Sequence, residues 1–225
     1  MKIPKTKELF DLSHTAARTF FETALYPHEL LACIPEIVRE IASARADEYE
    51  EVAPSVFIAR DATVSPLATV EGPTVIGHRT EVRPGAFIRG SAVIGDGCVI
   101  GNSTEIKNAI LFDGAQVPHY NYVGDSILGY RAHMGAGSIC SNYRADHAAV
   151  TLRADDEKIE SGRRKLGAII GDLCEVGCGA VLCPGTILGR ESNVYPLSLV
   201  RGTVPAASIH KNSGEITKKE NNCLH

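Results

Sequence analysis

The chain has 225 residues, a mass of 24.1 kDa and a formal net charge of -4, enough for one domain with a real core and too acidic for a general affinity for nucleic acid or an anionic membrane. No run of ~20 apolar residues is present, and the opening MKIPKTKELFDL lacks the apolar stretch of a signal peptide, so a cytoplasmic protein with no membrane partner is expected. Seven cysteines, an odd count, favour reduced thiols, and 21 glycines with no Trp suit a fold of many tight corners.

Residues 1–50 read as a helical cap. LSHTAARTFFETAL predicts a helix with Ser13 as its N-cap and Phe20, Phe21, Ala24 and Leu25 on the buried face. PHELLACIPEIVREIASA predicts a second, with Leu30, Ile34, Ile37, Val38 and Ile41 at helical spacing. Their expected role is to cover the open first coil of the repeat region, whose strand edges would otherwise invite association.

Residues 51–210 are governed by a six-residue beat. Reading every sixth position gives Ile58, Val64, Val70, Ile76, Val82, Ile88, Ile94, Ile100, Ile106 and Phe112, and later Ile170, Val176, Leu182, Leu188, Val194 and Val200. Four places after most of these comes a small residue, such as Ala62, Thr80, Ala86, Cys98, Cys174 or Ala180. Neither a helical period nor simple alternation produces this spacing. One short strand and one turn per six residues does, wound into an all-β solenoid, a parallel β-helix. Each aliphatic stacks on its equivalent ~4.8 Å along, and only a small side chain fits the second inward slot near the corner.

The beat falters at VPHYNYVGDS, 117–126. Phe112 to Met134 is two residues short of four hexads, and Pro118 stands where an inward aliphatic is due. Such a slip is expected to turn His119 and Tyr122 outward into a groove. Between Cys140 and Ile170 the beat is absent, which predicts an inserted loop at 141–168, functional or disordered. Its Arg163, Arg164 and Lys165 are either a solvated surface or a phosphate contact. Residues 211–225 predict a polar, loosely ordered tail.

Taken together, RPGA, NSTEIKN, PHYNYVGD, GAGSICSNY and IIGDLCEVGC resemble, in order and spacing over roughly 76–206, the acetyltransferase domain of the bifunctional UDP-N-acetylglucosamine synthesis enzymes, within the hexapeptide-repeat acyltransferases. The resemblance implies a left-handed β-helix, a homotrimer with sites between neighbouring subunits, and acetyl transfer from acetyl-CoA, a co-substrate, to an amino-sugar phosphate, with glucosamine 1-phosphate as the first candidate. It makes His119 the base and Tyr122 a substrate contact. Arg83 and Lys107 would hold the sugar phosphate, with Lys165 a further contact. Asn142 and Tyr143 would reach in from the other side, and Ala136 and Cys178 would line the acetyl-CoA path. The chemistry agrees with these residue types. An amino-sugar amine is largely protonated near neutral pH and needs a proton acceptor, for which imidazole is suited; a phosphate needs Arg and Lys. Asp125 and Glu105 lie in the same motifs, and either is placed to orient His119 or the substrate. No metal is required by this chemistry.

Two departures stand out: His133 precedes MGAG where the family has Asn, and Cys178 replaces Ser. No nucleotidyl-transfer motif precedes the solenoid, which leaves open a related acceptor on another sugar nucleotide. A γ-class carbonic anhydrase-like metalloenzyme would draw on His78, His119, His133 and His147, but the histidine pair five residues apart typical of that family is missing. A non-catalytic binding or assembly module is the remaining alternative. Cys174, Cys178 and Cys183 lack metal-site spacing and read as small buried thiols.

Overall fold

In the computed structural model, which describes residues 1–220, the chain winds into a β-solenoid of about 9 turns. Three sheets form its walls, here called the first, second and third faces in chain order, with nine, nine and seven strands. Along the first face the inward column runs Ile58, Ile76, Ile94, Leu111, Leu128, Ile170, Leu188 and Val204, each in parallel register with the next. Most second inward slots hold buried small residues, and several of their polar atoms are bonded to the backbone, although the buried Ser198 hydroxyl has no partner among the described residues. The Thr80 hydroxyl donates to the Gly95 carbonyl at 2.7 Å and the Cys174 thiol to that of Gly189 at 3.0 Å. Burial pushes the Cys174 thiol up to about 11, so it is an inert core thiol, and Cys183 is buried too. Cys178, expected to be buried with them, is exposed because it stands at a corner outside the inward slots.

The beat slips in a different place from the one expected. Val117 fills the inward column of the second face and pairs with Ile100. The two missing residues are lost singly, between Ile106 and Leu111 and between Val123 and Leu128. Both losses fall at the corner from the third face to the first. Phe112 therefore points outward, packed between Phe10 and Phe21 at centroid distances of 4.8 and 4.9 Å.

That packing corrects the expected cap. The N-terminal segment runs down the outside of the first face instead of across the open end. At Leu9–Asp11 it meets Asp172, at His14 it meets Asp113, and its longest helix, Ile34–Ala44, packs against Thr74–Ile76 and Ala92–Ile94. The reason lies in the outward residues of that face: Val75, Val93, Ile110, Ile127, Ile169 and Ile187 form an apolar strip that is buried in one cluster with Ile34, Ile37, Val38 and Ile41, the helix lying on its Val75 and Val93 end. The helices are also shorter than expected. After a four-residue helix at Thr6–Leu9, Asp11 and not Ser13 caps a 3-10 turn at Leu12–His14, the next helix is Arg18–Thr23, and Cys33 separates the 3-10 turn Pro27–Ala32 from Ile34–Ala44, whose first turn holds Pro35. The solenoid's edges are protected by strands. Tyr49–Ala53 lies antiparallel on Val56–Ala59, and Ile216–Lys218, within the expected loose tail, lies antiparallel on Ser208–His210. The rest of that tail, 221–225, lies outside the described residues.

The insertion leaves the same third-to-first corner. It holds a two-stranded hairpin, Thr151–Arg153 with Lys158–Glu160, and its Val150, Leu152 and Leu166 are buried against Ile169 and Ile187. It is a docked element of the first face, with its base at the corner.

Candidate functional site

The shortened third-to-first corner forms a cleft of about 540 Å³ walled by Arg89, Lys107, Tyr122, Asn142 and Tyr143, with Arg164 and Lys165 from the insertion. At the two shortened corners Asn108 (φ 50°) and Asp125 (φ 48°) take the left-handed conformation that corners of full length also use, as at Ser91 (φ 50°), and these two residue types tolerate it well. The Asp125 carboxylate is buried and accepts from three donors: Lys107 Nζ at 3.1 Å, Asn108 Nδ2 at 2.8 Å and Asn142 Nδ2 at 2.5 Å. Asn142 Nδ2 also donates to Tyr122 Oη at 3.1 Å. The Tyr122 ring reaches there because position 124 is glycine, since an added Cβ would collide with both Tyr122 Oη and Asn142 Nδ2. Burial raises the Tyr122 phenol above its usual range, so it is a neutral hydroxyl at physiological pH.

The base of the insertion closes the wall. Tyr143 and Lys165 form an antiparallel bridge, Leu166 N–H donates to the Asn142 carbonyl at 3.0 Å, and the Lys165 ammonium lies 6.0 Å from the Tyr143 ring centroid. Two carboxylates temper the charge: Glu105 accepts from Arg89 at 2.8 Å, and Asp125 pairs with Lys107.

His119 lies elsewhere. It sits at the second-to-third corner, in register with Asn102, and its carbonyl accepts from Gly137 N–H at 3.0 Å. Ala136 and Cys178 repeat its corner position on the next coils, joined by backbone bonds from Gly179 N–H to Ala136 (2.9 Å) and from Leu197 N–H to Cys178 (2.9 Å). This makes a ladder whose side chains above the imidazole are small. The corner rests on Gly101, where a Cβ would collide with the Pro118 carbonyl. Within it, buried Asn121 accepts from His119 N–H at 3.0 Å and donates to the Gly135 carbonyl at 2.9 Å. The exposed imidazole has no side-chain partner among the described residues.

The predicted residues thus divide. Lys107, Tyr122, Asn142, Tyr143 and Lys165 share one cleft. His119, Ala136 and Cys178 share the neighbouring corner. Arg83 is on that second corner, paired with Glu81 at 3.1 Å, and does not join Lys107. Asn142 and Tyr143 lie on the same side as Lys107, not opposite it. Neither Asp125 nor Glu105 orients His119; each is engaged in the cleft. Of the other histidines, His78 pairs with Asp61 and Glu48, His133 with Glu175 and His147 with Tyr143, each at a different place. His133 projects from the second face, away from this chain's cleft. Among the described residues no three His, Cys, Asp or Glu side chains converge as a metal set.

Three contributors are not evident from the sequence motifs in these roles. Arg89 stands at the position of Lys107 one coil earlier, so its signal is a basic residue recurring after one full coil. Asn121 is visible as the one amide in a slot otherwise filled by small residues. Asp125 lies in a motif, but its partners are Lys107, Asn108 and Asn142 and not His119.

A hexapeptide solenoid with a cationic cleft on one corner and a histidine on the next defines the class, and the chain belongs to the hexapeptide-repeat acyltransferases. The uncharacterized acetyltransferase YaiX of Escherichia coli is 31% identical over 159 residues, covering 71% of this chain and 69% of that protein. The bifunctional protein GlmU of Methanococcus vannielii is 37% identical over 141 residues, 62% of this chain and 34% of GlmU. The family model for the GMPPB C-terminal domain matches residues 70–162. Among solved structures, the UDP-N-acetylglucosamine acyltransferase of Francisella novicida aligns with a TM-score of 0.47 at 17% identity, over 74% of this chain and 66% of that one. The chain spans about a third of the length of the bifunctional relatives.

Proposed function

We propose that this protein transfers an acetyl group from acetyl-CoA to the amine of an amino-sugar phosphate, with glucosamine 1-phosphate as the first candidate, and that it works as a homotrimer. The observation that carries the proposal is the cleft's charge. Arg89, Lys107, Arg164 and Lys165 face two carboxylates, Glu105 and Asp125, leaving two positive charges uncompensated in a sugar-sized space beside Tyr122 and Asn142. That surplus matches one phosphate monoester dianion.

In the reaction, the His119 imidazole removes a proton from the sugar ammonium. The freed amine attacks the thioester carbonyl, the new N–C bond forms, and the C–S bond breaks. The proton held by the His119 imidazolium is delivered to the departing coenzyme A thiolate, and the proton that the attacking nitrogen sheds passes to solvent, so the imidazole is regenerated. The small ladder of Ala136 and Cys178 above His119 suits the slender arm of coenzyme A. Because the cleft walls of one chain do not include His119, the cleft of one subunit would face the His119 corner of another. The third face between the two corners carries exposed Ile139 and Leu199, a surface suited to such a contact.

A second reading keeps the chemistry and changes the acceptor to a nucleotide-linked amino sugar. It is favoured by a larger cleft of about 900 Å³ that shares Tyr143 with the first and is lined by Arg144, Arg153 and Arg201. Turnover of acetyl-CoA against a panel of amino-sugar phosphates and nucleotide amino sugars tests both readings. Activity on the former supports the first, and activity confined to the latter supports the second. If no amino sugar is acetylated, neither reading holds.

A further inference from the structure

We propose that Asp125 is a positioning residue that fixes the hydrogen-bond polarity of the acceptor cleft, an assignment that rests on the cleft being the acceptor site. The Asp125 carboxylate is buried and, as a carboxylate, only accepts. Facing it, Asn142 must present its NH2 group and not its carbonyl. One amide proton goes to Asp125 Oδ2 and the other to Tyr122 Oη. Both Asn142 donors are then spent, and Oδ1 is the atom left for a ligand, as an acceptor. Tyr122 Oη, having accepted from Asn142, keeps its own proton to donate outward. Lys107 is held by both carboxylate oxygens, at 3.1 and 3.3 Å, so its ammonium is fixed in place.

The carboxylate itself has little freedom. Asp125 N–H donates to the Lys107 carbonyl at 2.9 Å, and its own carbonyl accepts from Gly167 N–H at 2.8 Å. Position 125 therefore converts three side chains with free rotors into an ordered set of acceptor, hydroxyl donor and cation. A sugar amine or hydroxyl donates to Asn142, and Tyr122 donates to a sugar oxygen. Asn142 is thereby unavailable as an oxyanion donor. An amide at position 125 would let Asn142 flip, and the polarity would be lost.

The test uses full-length protein with selective 15N-asparagine labelling, the Asn142 side-chain signal being assigned by its loss in Asn142→Asp. In wild type both amide protons are expected to be protected from solvent exchange. In Asp125→Asn that protection falls about tenfold or more, and the KM for glucosamine 1-phosphate rises about tenfold or more, the scale of one charge-assisted hydrogen bond, while the KM for acetyl-CoA stays within about twofold. If Asp125→Asn does not fold, Tyr122→Phe carries the test: one Asn142 proton loses protection and the other keeps it. Unprotected protons in wild type, protection unchanged in Asp125→Asn, or both protons behaving alike in Tyr122→Phe would overturn the proposal. A wild type that acetylates no amino sugar removes the functional reading alone, because the exchange measurement still decides the role of Asp125.

Discussion

The two corners flanking the third face hold their side chains by different means. At the third-to-first corner a buried carboxylate ties Lys107, Asn108 and Asn142 into one network, and Tyr122 leans on it. At the second-to-third corner the backbone is tied down by Asn121 and the coil-to-coil ladder, while the His119 ring stays free. The difference suits a division of labour. A phosphate and sugar hydroxyls are recognised by groups held in advance, whereas a proton acceptor must be exposed and able to change charge.

Substitutions should separate the two corners. The largest effect is expected for His119→Ala, which lowers kcat by about 10²–10⁴ and leaves the acceptor KM and the melting temperature nearly unchanged; a comparable change in acceptor KM would dissolve the distinction. Lys165→Ala is expected to do the reverse, raising the acceptor KM by about 10–100-fold through loss of one charged contact with the KM for acetyl-CoA unmoved. Asn121→Ala tests whether backbone anchoring is what places His119. It strands buried partners and should cost about 1–3 kcal/mol in denaturant unfolding, with kcat falling more than KM. The smallest effect concerns a residue remote from both corners. Burial pushes the Tyr49 phenol up to about 12. The unfolded chain releases that proton near pH 10 and the folded chain does not, so Tyr49 adds nothing to pH dependence at neutral pH and makes stability fall as pH rises from about 10 to about 12. Tyr49→Phe should flatten that decline in alkaline unfolding curves.

How far each feature is legible in the sequence depends on how often the chain repeats it. The inward columns are written every six residues, and Ile76, Ile94 or Val176 can be placed without coordinates. The strip that receives the helices is written once per coil: Val75, Val93, Ile110, Ile127, Ile169 and Ile187 look like incidental neighbours of the inward residues until the coil is divided into three faces. Without that strip, the helices have no surface to be assigned to except the open end. The lost residues are countable from Phe112 to Met134, but a count does not locate them. Because both fall at the third-to-first corner, the irregularity that builds the cleft lies at Lys107–Ala109 and Gly124–Ser126, flanking VPHYNYVGDS instead of centred on Pro118. The types of the site residues are readable; their partition between corners is not, because it depends on the direction in which Tyr122 folds over Gly124 and on which side chain Asp125 meets.

The central claim is that His119 and the cationic cleft act together across a subunit boundary. Its most direct test mixes two impaired variants, His119→Ala and Lys165→Ala, by co-expression and measures acetyl transfer at an amino-sugar concentration near the wild-type KM, where the raised KM of Lys165→Ala also limits turnover. Each variant alone should be severely impaired, while the mixture should regain a substantial part of wild-type turnover, because some boundaries pair an intact His119 with an intact Lys165. A mixture no more active than its components, beside an active wild type, would contradict the account and place both groups in a site within one chain.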